Sequence, residues 1–173
     1  ETVLLYGMEN SHTYNELKNK RQNEYLTLRD NMLLTSDMAK ALDNEFIIVS
    51  ISCQNLRDLA RQINDYNVTG KTFLLAMKGL EEPSAEILAD VFISEIKQDI
   101  HVATLGGPGH VEDYVRKVPS AAVIDSYEPA TIDYVIKLLQ SDLIRFYYGT
   151  DIVGNQVGAA LKNVIGLAAG ILD

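Results

Sequence analysis

Short runs of consecutive apolar residues alternate along this chain with longer stretches whose apolar positions recur every three or four residues. That alternation is the pattern of parallel strands joined by crossover helices. It predicts strands over 3–6, 46–51, 72–77, 101–105, 121–125 and 145–148. The intervening periodicity predicts helices over 13–23, 36–42, 55–64, 84–97, 111–117, 130–140 and 151–172. Runs such as Phe46-Ile47-Ile48-Val49 are apolar on successive residues, so their sheet should be covered on both faces. The fold class expected is therefore α/β, a Rossmann-like doubly wound and mostly parallel sheet.

Local signals mark several helix starts. Ser36-Asp37 offers an N-cap, and Glu81-Glu82-Pro83-Ser84 places acid, proline and hydroxyl where a helix N-terminus favours them. Ligands of doubly wound sheets sit beyond the carboxyl ends of strands. Gly7-Met8-Glu9, Ser52-Cys53-Gln54, Lys78-Gly79 and Gly106-Gly107-Pro108-Gly109 each follow a predicted strand directly.

Composition narrows the function. With 173 residues and 47% of them hydrophobic, the chain can fill a core, which excludes a disordered segment. No linker or repeat separates modules before about residue 150. The net charge of −9 argues against nucleic acid and anionic membranes as partners, and it requires an anionic ligand to find a local cationic site. Cys53 is the single cysteine, and no signal segment opens the chain, so the cytoplasm is the expected compartment. The apolar stretch from Val153 to Leu172 is interrupted by Lys162 and Asn163, and its longest run without a strongly polar side chain is too short to span a bilayer. Glu1 enters a strand at once and Asp173 ends a helix without a cap, so both ends read as cut.

Three segments carry candidate chemistry. Gly106-Gly107-Pro108-Gly109-His110 joins a strand to a helix, where glycines let backbone N–H groups approach an anion, although a tight turn without ligand explains it equally. Lys78 sets an ammonium at a strand's carboxyl end beside Gly79, suited to a phosphate or carbonyl oxygen or simply to solvent. In the last helix Gly154, Gly158, Lys162, Gly166 and Gly170 recur every fourth residue. That row is either a close helix-packing face with Lys162 at its edge or a ligand-facing surface. Val157, Leu161 and Ile165 flank Lys162, so partial burial and a lowered pKa are expected, as suits proton transfer. Three histidines and Cys53 show no metal-ligand spacing and no triad, which leaves Cys53 as a small thiol in a loop. Tyr147-Tyr148 read as packing residues and Glu81-Glu82 as a helix cap.

At these residues the chain resembles the bacterial-type NAD(P)-dependent glycerol-3-phosphate dehydrogenases. Gly158-Ala159-Ala160-Leu161-Lys162-Asn163-Val164 through Gly170 is similar to that family's G-A-x-K-N-V-x-x-x-x-x-G helix. In the family's order, Leu4-Leu5-Tyr6-Gly7 resembles its second strand, Tyr25-Leu26 its Y-L-P turn, and Thr35-Ser36-Asp37 with Ala41-Leu42 its T-x-D…A-L helix start. Met77-Lys78-Gly79-Leu80-Glu81 resembles its T-K-G-L-E turn and Gly106-Gly107-Pro108 its S-G-P turn.

The resemblance implies hydride transfer between a nicotinamide and the small phosphorylated substrate dihydroxyacetone phosphate. Lys162 would be the proton donor and acceptor, with Asn163 beside it holding substrate. Lys78 would contact substrate and cofactor, Gly107 the substrate, and Val111 the cofactor. Residues 1–150 would form the nucleotide-binding domain and 151–173 the start of an all-α substrate domain, with a homodimer left open. An ammonium aimed at the developing alkoxide would stabilise it and supply its proton.

Departures from the family also matter. Its first strand and glycine-rich phosphate loop would precede Glu1, and no GxGxxG occurs in the chain. Gly109 replaces a substrate-binding Thr, Ser52-Cys53 a Pro-Ser loop, and Thr27 the turn proline. Met8 stands where a basic residue would hold the 2′-phosphate of NADP, and Glu9 could accept ribose hydroxyls, so NAD is favoured over NADP. Competing readings are a hydroxyacid or 6-phosphogluconate-type dehydrogenase, disfavoured by the adjacent Lys162-Asn163, and a non-catalytic nucleotide-binding homologue. A receiver-like domain would require paired acids that are not apparent.

Overall fold

The computed structural model describes residues 2–108 and 111–172. Strands β1 (Val3–Tyr6), β2 (Met32–Thr35), β3 (Phe46–Val49), β4 (Thr72–Leu75), β5 (His101–Gly106), β6 (Ser120–Asp125) and β7 (Ile144–Tyr148) alternate with helices. The helices are α1 (His12–Lys20), α2 (Met38–Leu42), α3 (Leu56–Ile63), α4 (Leu88–Glu95), α5 (Val111–Val115), α6 (Pro129–Leu139) and α7 (Ile152–Leu172). A 3-10 turn, Cys53–Asn55, leads into α3.

Among the described residues the strands form two sheets. β1 and β2 pair in parallel, while β3-β4-β5-β6-β7 lie side by side in sequence order. Every neighbouring pair is parallel except β5 with β6, which run antiparallel with Thr104 opposite Asp125 and Gly106 opposite Val123. All four residues of β4 are buried, as a strand covered on both faces requires. Side chains alternate across it. Phe73 and Leu75 join Leu56, Ala60, Ile63, Leu88 and Phe92 from α3 and α4. Leu74 joins Ala103, Ile124, Ile132 and Val135 on the α6 side. The Phe73 and Phe92 rings are tilted at 58° with centroids 5.1 Å apart, so truncating either to Ala should cost about 3–5 kcal/mol.

The architecture agrees with the expected Rossmann-like α/β class, and several elements differ in detail. β2 is absent from the expected strands: four residues without a β-branched side chain before Thr35, three of them exposed or partly so, give almost no strand signal. The helix expected from Ser84 starts at Leu88 instead. The cause lies in Glu81, whose carboxylate is taken by the Arg57 guanidinium and the Ser84 hydroxyl and is unavailable as a cap. Helix α1 stops at Lys20 because Arg21 adopts a left-handed φ of 54° and returns its N–H to Leu17 O. Asp37, rather than Ser36, caps α2 by accepting from Ala39 N and Lys40 N.

Candidate functional site at the carboxyl ends of the strands

β4 ends at Leu75, and the chain then leaves the sheet through Ala76-Met77 to Lys78. The Lys78 Nζ donates to Gly107 O at 2.7 Å, joining the turn after β4 to the turn after β5. Gly107 takes a φ of 127°, and a Cβ there would come within 3.1 Å of Ala121 O and Ala122 Cα. Glycine is thus needed for both conformation and space. Partial burial, and after it the charge of Lys162, hold the Lys78 ammonium below the ordinary lysine value.

Helix α7 crosses this end of the sheet. A narrow crevice of about 10 Å³ is lined by Lys78 from the turn after β4, Gly106 from the end of β5, Asp125 from β6, and Asn155, Gln156 and Ala159 from α7. Two side chains root the helix. Asn155 Nδ2 donates to the buried Asp125 Oδ2 at 2.6 Å. Gln156 Oε1 accepts from Ala89 N at 3.1 Å, satisfying one of the N–H groups left open at the start of α4. Asp151 caps α7 through Gly154 N at 2.8 Å.

The structure brings Lys78, Gly107 and Lys162 to one region and corrects the expectation for Lys162. That residue is exposed, as is every residue of α7 from Leu161 to Leu172. Gly158, Gly166 and Gly170 likewise have nothing within 4 Å where a Cβ would stand, so these three glycines pack against nothing among the described residues, whereas Gly154 sits against the Asp151 side chain. The lysine whose proton affinity is lowered is Lys78. Asn163 is also exposed on α7. Val111 opens α5, and its side chain, like Gly109 and His110, lies outside the described residues.

Glu9 follows β1 and accepts from Ser36 Oγ, just after β2, at 3.0 Å. Cys53 does not act as an isolated thiol: its Sγ fills the space beside Gly79, which has a φ of 135° and no room for a Cβ. Sequence reasoning missed Asn155, Gln156 and Asp125. The signal was present, since Ile152, Gln156 and Ala159 share one helix face and put a polar residue on its inner side.

Sheet and crossover helices together define a Rossmann-like α/β fold. Residues 1–132 match the family model described as NAD-dependent glycerol-3-phosphate dehydrogenase N-terminus, and the chain belongs to that family. A curated relative from Staphylococcus aureus, glycerol-3-phosphate dehydrogenase [NAD(P)+], is 30% identical over 98% of this chain and 53% of its own length. Solved structures of glycerol-3-phosphate dehydrogenase share the fold. The Coxiella burnetii protein superposes with a TM-score of 0.86 at 20% identity, covering 98% of this chain and 53% of that one. The Saccharomyces cerevisiae protein gives 0.81 at 20% identity, again with 98% and 53% coverage. The chain thus spans about half the length of the relatives it matches.

Proposed function

We propose that this chain is the nucleotide-binding portion of a cytoplasmic NAD(P)-dependent glycerol-3-phosphate dehydrogenase that interconverts dihydroxyacetone phosphate and sn-glycerol 3-phosphate. The observation that carries the reading is the Lys78 ammonium held on Gly107 O at 2.7 Å, where the turns after β4 and β5 meet, with the charge of Lys162 adding to the burial that lowers its pKa. In a chain of net charge −9, such a group is the local cationic site that a phosphorylated ketone requires.

In this reading a nicotinamide supplies or accepts the hydride. Lys78 holds substrate and cofactor, the Gly107 backbone approaches substrate, and Asn163 binds it. Lys162 gives a proton to the carbonyl oxygen as alkoxide charge develops there, and recovers it in the reverse direction. Val111 lines the cofactor. Residues 151–173 begin a helical substrate domain, an assignment supported by the bare apolar side chains of Val164, Ile165, Leu167, Ile171 and Leu172. Glu9 with Ser36, and Met8 in place of a cation, favour NAD over NADP.

The test is NADH oxidation with dihydroxyacetone phosphate, measured for the 173-residue chain and for a longer protein that contains it. The expected result is activity in the longer protein, none in this chain, and a higher kcat/KM with NADH than with NADPH. No turnover in a folded longer protein would overturn the proposal.

A further inference from the structure

We infer that Arg57 is a positioning residue for Lys78, acting through Glu81. The inference rests on the reading of Lys78 as a substrate and cofactor contact. Lys78 opens a turn over residues 78–82, and the 3-10 turn before α3 and the first turn of α3 hold it from outside. Gln54 Nε2 donates to Leu80 O at 3.0 Å, and Glu82 N donates to Gln54 Oε1 at 2.9 Å.

Between those two bonds, Glu81 is gripped by a guanidinium fork. Arg57 Nε donates to Oε1 at 2.5 Å and Nη2 to Oε2 at 2.6 Å, while Ser84 Oγ donates to Oε2 at 2.7 Å. The Glu81 side chain is 10% exposed and that of Arg57 25%. Arg57 reaches further, to Glu95 on α4 and to Glu86. A planar fork fixes the plane of the carboxylate as well as its place, which a point-charged ammonium cannot do.

The turn needs this outside support because Gly79, next to Lys78, has no side chain with which to hold itself. Arg57 therefore fixes where the chain leaves Lys78, and the Gly107 carbonyl fixes where its ammonium arrives. Arg61 supplies an internal control. It lies one helical turn further along α3 and binds Glu95 at 3.2 Å and Asp58 at 3.7 Å, tying α3 to α4 through a carboxylate outside the 78–82 turn.

The test compares Arg57→Lys, Arg57→Met, Glu81→Gln and Arg61→Met in the 173-residue chain. Lysine titrations are followed by NMR after ¹³C reductive methylation, with thermal melting as the check on folding. The expected result is that Lys78 titrates below ordinary lysines in the parent chain and moves toward them in Arg57→Met and Glu81→Gln. Arg57→Lys should restore the parent titration only in part. Arg61→Met should lower the melting temperature and leave Lys78 unmoved. If Arg57→Met does not fold, Glu81→Gln and Arg57→Lys decide the question. An unmoved Lys78 in the folded Arg57 and Glu81 variants, or an equal shift in Arg61→Met, would overturn the inference.

In the longer protein, Arg57→Lys should raise KM more than it lowers kcat, with a loss in kcat/KM of up to about 10²-fold, the order produced by misplacing a binding group by about an ångström. A parent protein without turnover would sink the dehydrogenase reading, and the lysine titrations would then decide the role of Arg57 alone.

Discussion

Replacing Gly79 by alanine tests the geometry of the Lys78 turn most directly, because the substitution meets two separable obstacles. The first is conformational: Gly79 has a φ of 135°, a region that L-residues rarely adopt, and forcing a side chain there costs about 1–3 kcal/mol. The second is steric. An added Cβ would lie 2.6 Å from Cys53 Sγ and 3.3 Å from Cys53 Cβ, and overpacking of this kind costs about 1–3 kcal/mol. The sum, roughly 2–6 kcal/mol, is a large fraction of a typical domain stability of about 5–15 kcal/mol. Urea denaturation of Gly79→Ala, Cys53→Ala and the double variant separates the two. Removing the sulfur should return the steric share and leave the conformational one, giving a coupling of about 1–3 kcal/mol between the sites. A Gly79→Ala chain as stable as its parent would refute the backbone assignment. Additivity within about 0.5 kcal/mol would refute the contact with Cys53.

Further expectations follow from charge and burial. Arg57 and Ser84, by hydrogen bonding, lower the Glu81 carboxyl from 4.5 to about 2. A depressed acid stabilises the fold above its unfolded pKa, so this contribution should be complete above about pH 4.5 and vanish as pH falls toward about 2. Acid unfolding of Glu81→Gln should be less steep across that window, and an unchanged slope would count against the pairing. In the longer protein, Lys162→Met should lower kcat by roughly 10²–10⁴-fold, as loss of a general acid does, whereas Lys78→Met should act mainly on KM. Retained kcat in a folded Lys162→Met protein would end that assignment. Asn155→Leu should cost about 1–3 kcal/mol by removing a hydrogen-bond partner from the buried Asp125 carboxylate. Because α7 is rooted there, a melt unaffected by the change would show that the helix is held elsewhere.

The fold was legible where one physical signal dominated. Phe46-Ile47-Ile48-Val49 and Thr72-Phe73-Leu74-Leu75 are dense apolar runs, and both form strands at the positions their hydrophobicity indicates. Met32-Leu33-Leu34 is as apolar but has neither a β-branched nor an aromatic side chain, and it is recognisable as a strand only beside β1. The cap expected at Glu81 failed for a different reason: local propensity favoured a helix start, and a partner 24 residues away offered the carboxylate a stronger bond. No local rule contains Arg57. Lys78 and Gly107 could be found as a strand-end lysine and a glycine turn, but their 2.7 Å contact spans 29 residues and depends on β4 and β5 being neighbours.

The misjudged burial of Lys162 has the same origin. Apolar neighbours on a helix indicate that some surface must cover it, and they do not say which. Ile152 and Gln156 are buried against the sheet domain, and exposure rises along the helix to 83% at Ile171 and 88% at Leu172. A row of exposed apolar side chains of this length is what a protein interface leaves when its partner surface is removed. Under the proposed function, that surface belongs to the helical substrate domain, and its packing would desolvate Lys162 as well. The repulsion already felt at Lys78 would then grow, because desolvation weakens screening. A substrate phosphate between them would offset that repulsion, so the pairing that is unfavourable in the chain alone becomes the source of binding for an anion.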